Sequence, residues 1–112
     1  MNLTVDNSAA LTCIAIKGEL DTATAPDLDA AIQSCLAEGT NALLLDLSGT
    51  DYVSSMGLRV FLSTLKALKP AGGRLVLAGL NAEVQEIIDL AGFAPLFEIC
   101  GTADQARAAL SS

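Results

Sequence analysis

Two short, nearly uninterrupted apolar runs, at 42–47 and 74–78, stand between longer segments whose apolar residues recur every three or four positions. A run that is apolar on both faces suits a strand covered from both sides, and the longer segments suit helices that cross between strands. Crossovers of about ten to fifteen residues force neighbouring strands to pair in parallel, with right-handed connections. The alternation therefore selects an α/β domain before any single residue is considered.

Around these runs the order of elements reads ββαβαβαβα. Leu3 and Val5 alternate with Asn2 and Thr4, Asp6-Asn7-Ser8 offers turn residues, and Leu11, Cys13, Ile14 and Ile16 form the next strand, so the chain opens with a β-hairpin. Thr24, ahead of Ala25, Pro26 and Asp27, reads as the N-cap of a first helix carrying Leu28, Ala31, Ile32, Cys35 and Leu36 and ended by Gly39. A second helix runs from about Ser55 to Lys69, with Leu58, Phe61, Leu62, Leu65 and Leu68 at helical spacing and Pro70 and Gly72-Gly73 as breakers. Asn81 caps a third helix with Val84, Ile87, Ile88 and Ala91, and Gly92 follows it. A last strand is expected at 96–99, and Thr102 with Asp104 opens a short helix that reaches Leu110. The expected fold is a single domain over 1–112, with a mixed, mostly parallel sheet of about five strands, four helices and an N-terminal hairpin. Asp29, Gln33 and Glu38 on one helix, and Arg59, Ser63 and Lys66 on another, mark faces turned to solvent.

Composition narrows the function. Hydrophobic residues make up 52% of the chain and aromatic ones only 4%, so the core is built from Leu, Val, Ile and Ala. The net charge of -7, with 13 acidic residues against 6 scattered basic ones, argues against nucleic acid as a partner. No apolar run approaches the roughly 18 residues of a membrane span and the first residues lack a basic, apolar leader, so a cytoplasmic protein without membrane contact is expected. Cys13, Cys35 and Cys100 sit apart in apolar segments and read as reduced core residues. Histidine is absent, which removes Ser-His-Asp and Cys-His pairs and the commonest metal ligand. Phosphate-loop and dinucleotide motifs are absent too, so no cofactor is expected and the chain is not read as an enzyme.

The segment LLLDLSGTDYVSSMGLRVFLSTL, 43–65, carries the chemistry. It runs from a buried strand through a polar loop into Ser54-Ser55-Met56-Gly57 and an amphipathic helix. Either serine can cap the helix with its hydroxyl oxygen. A phosphate on Ser55 would meet the N–H groups and the positive dipole end of that helix, so the fold can carry it. Gly57 either opens access to the serine or allows close helix-to-sheet packing. Asp21 follows the second strand on a loop that this topology brings to the same rim, where it is either an ordinary solvated acid or a partner for the serine hydroxyl.

GELDTATAPDL at 18–28, LLLDLSGTDYVSSMGLRVF at 43–61, AGGRLVLAGL at 71–80 and LAGF at 90–93 resemble STAS domains of the anti-sigma factor antagonist group over nearly the whole chain. The resemblance implies that Ser55 is phosphorylated by an anti-sigma factor with serine kinase activity, using ATP. It further implies that the unphosphorylated form binds that kinase and frees a sigma factor, and that a phosphatase acting on phospho-Ser55 restores binding. Asp21, Ser54, Ser55, Met56, Gly57 and Arg59 are then the partner-binding residues, on a monomer or weak dimer. The chain departs from the usual family pattern at Ser54, where many members carry aspartate, and at Met56, which is larger than the usual residue. Two other readings stay open: a non-phosphorylated STAS subunit docked to a transporter ATPase or signalling assembly, and a small-molecule or nucleotide sensor, or a weak enzyme, that uses the rim near Asp21 and Ser55.

Overall fold

The computed structural model describes residues 1–8 and 11–111. Among these, β1 (Asn2–Ser8), β2 (Leu11–Leu20), β3 (Ala42–Val53), β4 (Arg74–Ala78) and β5 (Glu98–Cys100) form one sheet in chain order. β1 and β2 are antiparallel, and each later neighbour pair is parallel. Four α-helices accompany them: α1 (Ala25–Ala37), α2 (Ser55–Leu68), α3 (Ala82–Leu90) and α4 (Ala103–Ser111). The α/β class, the mixed sheet, the four helices and the opening hairpin are those expected from the residue pattern. No helix of the described residues is long and apolar enough to cross a membrane.

Because the strands add to the sheet in order, every right-handed crossover moves the same way and leaves its helix on the same face. Leu28 and Ile32 of α1, Leu58 and Phe61 of α2, and Val84 and Ile88 of α3 accordingly share one core with Ile14, Leu43, Leu45, Leu47, Leu75 and Leu77 of the sheet. Phe61 meets Phe97 edge to face, with ring centroids 6.4 Å apart. Only α4, which follows the last strand, lies on the opposite face, where Ala106 packs on Leu11, Cys13, Leu44, Val76 and Ala78. Leu43, Leu44 and Leu45 are all fully buried, which is why the run at 42–47 shows no polar alternation.

Several local expectations differ from the structure. β1 continues through Asp6, Asn7 and Ser8, which pair with Cys13, Thr12 and Leu11. The Thr12 hydroxyl donates to Asn7 Oδ1 at 2.8 Å, so the expected turn residue is held in the ladder, and the connection at 9–10 lies outside the described residues. The last strand begins at Glu98 because 94–96 form a 3-10 turn around Pro95. Cys13 and Cys35 are buried free thiols, whose desolvation pushes their pKa up, but Cys100 is only half-buried. The expected polar faces hold, with Gln33, Glu38, Arg59, Ser63 and Lys66 exposed and Asp29 half-buried.

α4 is fastened through Arg74, which gives two bonds to Glu98, at 3.1 and 2.6 Å, and one from Nη1 to the Ala109 carbonyl at 2.9 Å. The hydrogen bond from Arg74 holds the Glu98 carboxyl below the ordinary carboxylate range, against a smaller opposing effect of desolvation. A carboxyl lowered in the folded state stabilises fully above its unfolded value of about 4.3 and loses that contribution as the pH falls through the folded value. Glu98→Gln should therefore cost up to about 1 kcal/mol near pH 7, the size of an exposed ion pair. In urea unfolding at several pH values, the gap to the parent should close below about pH 4; a gap that persists in acid would contradict the pairing.

Candidate functional site

The sheet is uneven. β4 accompanies β3 only as far as Asp46, opposite Ala78, and beyond that point β3 continues beside β2 alone, up to Leu20 opposite Val53. The polar loop expected at 48–53 is thus a strand. Its register shifts where Ile16 faces both Leu47 and Ser48, a bulge that leaves the Ile16 carbonyl to be satisfied by the Thr50 hydroxyl at 2.8 Å. Thr50 is fully buried. Where β4 has ended, Asn81 Nδ2 donates to the Thr50 carbonyl at 3.1 Å, while Asn81 Oδ1 caps α3 by accepting from Val84 N at 2.8 Å.

At the tip of this two-stranded projection the Ser54 amide donates to the Leu20 carbonyl at 2.8 Å and completes the ladder. Ser54 then leaves the strand in an extended conformation, and its Oγ accepts the Gly57 amide at 3.2 Å. Ser54 is the N-cap and is buried. Ser55 is the first residue of α2 and is exposed, and among the described residues its hydroxyl enters no side-chain hydrogen bond. Two adjacent serines thus have separate positions, one committed to the helix start and one presented to solvent.

Gly57 is buried beneath the same turn. A Cβ there would lie 2.9 Å from Leu20 Cδ2 and Cγ and from Val53 Cγ1, so close helix-to-sheet packing accounts for this glycine. Leu20 and Val53 are themselves at 0% and 1% exposure and cannot give way. The absence of a side chain lets α2 start directly on the ends of β2 and β3, which fixes the height of Ser55 above the rim.

Asp21 comes to this rim because Leu20 pairs with Val53. Its carboxylate, however, is engaged within its own loop: Oδ1 accepts from Ala23 N at 3.0 Å and Thr24 N at 2.9 Å and lies 3.0 Å from the Thr24 hydroxyl. The Thr24 amide, and then its hydroxyl, are the main causes that hold the Asp21 carboxyl below its usual value. Thr24 does not cap α1 with its side chain, as the sequence led one to expect. Its hydroxyl is turned back into the loop, 2.9 Å from the Glu19 carbonyl and 2.9 Å from the Asp21 amide that it accepts. Asp21 caps the turn that leads into α1, and no hydrogen bond joins it to Ser55.

Met56 and Arg59 are exposed on the first turns of α2, beside Ser55. Tyr52, 45% exposed, lies on β3 opposite Glu19 and was not singled out from the sequence. Its signal was present, since it is the chain's one tyrosine, two residues before the serine pair. Next to it, Asp51, Asn81, Ala82 and Glu83 line an open hollow of about 330 Å³ with two acids and no base. Among the described residues, no cluster of three metal-ligating side chains occurs. The site offers an exposed hydroxyl, two exposed apolar side chains, one arginine and a fringe of acids, which is equipment for docking.

The model of the STAS domain family matches residues 1–106. The chain belongs to that family. This STAS domain is 33% identical over its whole length to BtrV of Bordetella bronchiseptica, named for an anti-sigma factor antagonist, and covers 97% of that protein. It is 30% identical to the anti-sigma-B factor antagonist of Staphylococcus epidermidis over 86 residues, 77% of this chain and 80% of the relative. Among solved structures, an anti-sigma factor antagonist from Mycobacterium paratuberculosis superposes with a TM-score of 0.90 at 27% identity, over 99% of this STAS domain and 94% of that chain.

The two serines should separate cleanly in stability. Ser54→Ala should lower the unfolding free energy by about 1 kcal/mol through loss of the cap, whereas Ser55→Ala should stay within about 0.5 kcal/mol of the parent. Gly57→Ala gains about 1 kcal/mol of helix propensity but incurs an overpacking cost of about 1–3 kcal/mol, so a net loss is expected. Urea denaturation of the three variants checks all of this, and an equal loss for both serines would refute the division.

Proposed function

We propose that this STAS domain is an anti-sigma factor antagonist switched by phosphorylation of Ser55. Its unphosphorylated form binds an anti-sigma factor that is itself a serine kinase, and so frees a sigma factor in the cytoplasm. Phosphorylation ends the binding, and a phosphatase acting on phospho-Ser55 restores it. The reading is carried by one observation: Ser55 is exposed at the first position of α2, while Ser54 caps that helix. The names of the relatives support the class of partner.

In the transfer, Ser55 Oγ attacks the γ-phosphorus of ATP, the bond from that phosphorus to the bridging oxygen breaks, ADP leaves, and the hydroxyl proton passes to a base of the kinase. This chain supplies the nucleophile and the docking face. Met56, Arg59 and the loop of Asp21 meet the partner, and the buried Ser54 and Gly57 act by fixing where α2 begins. A phosphate of about -1.5 to -2 charges at the centre of that face must be desolvated on binding and is repelled by nearby acids. It obstructs the complex without opposing the fold.

Incubation with candidate serine kinases and ATP, followed by intact mass and peptide mapping, should show one phosphate on Ser55 that is absent in Ser55→Ala. The unmodified protein and Ser55→Ala should both retain a kinase-type anti-sigma factor in a pull-down, and the phosphorylated protein should release it. No phosphate with any kinase, or phosphate only elsewhere, would remove the switch and leave a docking subunit that is never modified.

A further inference from the structure

The helix that carries Ser55 is charged differently from the rest of the molecule. α1, α3 and α4 each place an acid in the first turn, Asp27, Glu83 and Asp104 respectively, where it complements the helix dipole. α2 has no acid in its first turn, and none along its length: SMGLRVFLSTLKAL carries only Arg59 and Lys66. On a chain of net charge -7 this is, among the described residues, the one α-helix whose charged side chains are all basic. Ser55, Arg59, Ser63 and Lys66, spaced by four, four and three residues, form one exposed stripe along it. Among the described residues Arg59 enters no ion pair; the two arginine bridges belong to Arg74 and Arg107.

Resting on the reading of Ser55 as the phosphorylated residue, we propose that Arg59 is the intramolecular counter-charge of that phosphate. Residues four apart on a helix are neighbours, and an anion placed N-terminal to a cation is the favourable order. The guanidinium also presents a planar fork of donors that fits phosphate oxygens, which Lys66, eleven residues along, is too distant to do. Before modification the first two turns of α2 carry one positive charge; afterwards they carry about one negative charge. Phosphorylation thus inverts the sign of the face and occupies its arginine in the same event.

The test installs phosphoserine at position 55 by amber suppression, so that no kinase is needed, and follows the phosphate by phosphorus NMR titration. Arg59→Ala should raise the second phosphate pKa by roughly 0.2–0.4 of a unit, the equivalent of one helical ion pair. Arg59→Lys should recover part of that shift, molar salt should erase it, and Lys66→Ala should leave the value unchanged. Arg59 is exposed, and a far-ultraviolet circular dichroism spectrum equal to the parent's would show that its variants fold. An unchanged titration in Arg59→Ala would overturn the pairing even if kinases modify Ser55. A shift as expected would sustain it even if the kinases tried leave Ser55 untouched, so the two readings fail separately.

Discussion

The hydrogen bond from the Ser54 amide to the Leu20 carbonyl is the joint on which the site depends. It is the last rung of a β2–β3 ladder that outruns the rest of the sheet, and its register is set by two bulges, one at Ile16 and one between Gly18 and Glu19, each of which advances β3 by one residue. Without either shift, the end of β3 would slip by one residue against β2, and every side chain beyond it would change face. Thr50 and Asn81 make the extension tolerable, because they supply hydrogen bonds where a third strand is missing. Strand pairing, and not loop conformation, thus sets the position of the serine pair and of Asp21 together.

From that joint the work divides between neighbours. Ser54 and Gly57 are buried and belong to the fold: one satisfies an amide at the start of α2, the other lets the helix rest on Leu20 and Val53. Ser55, Met56 and Arg59 face outward from the same turn. A side chain that carries no structural task can be altered chemically at small cost to stability. The cap next door keeps its geometry fixed while that happens.

Much of this could be read from the residues alone, and the misses have physical causes. The strands at 42–47 and 74–78 are local in character, since apolar runs bounded by breakers need no knowledge of partners. SGTDY at 48–52 could not be read as strand, because its composition favours a turn and only pairing with β2 and the bond from Thr50 to Ile16 hold it extended. Thr24 does not cap with its side chain for a similar reason: its hydroxyl oxygen accepts the Asp21 amide, while its proton is turned to the Glu19 carbonyl and the Asp21 carboxylate, all brought close by the loop. The choice between Ser54 and Ser55 turned on one residue of helix phase, which sequence periodicity does not resolve. Tyr52 escapes notice in the sequence because the segment that exposes it reads as a loop.

On the proposed reading, the placement of Ser55 would let a modification abolish binding in a domain this small without unfolding it. At the first position of a helix a phosphate faces unpaired amides and the positive end of the dipole, and because Ser55 is already exposed, no burial of charge is required in the folded state. The same group in an interface would have to lose its water on a chain that is acidic overall. Folding and association would therefore respond to one phosphate with opposite signs. A serine deeper in α2, such as Ser63, would lie beyond the reach of the helix-end amides, and one at the cap, such as Ser54, would lose a structural bond on modification. Ser48 and Ser63 of the segment are exposed as well, but among its serines Ser55 alone joins an exposed hydroxyl to the first position of a helix.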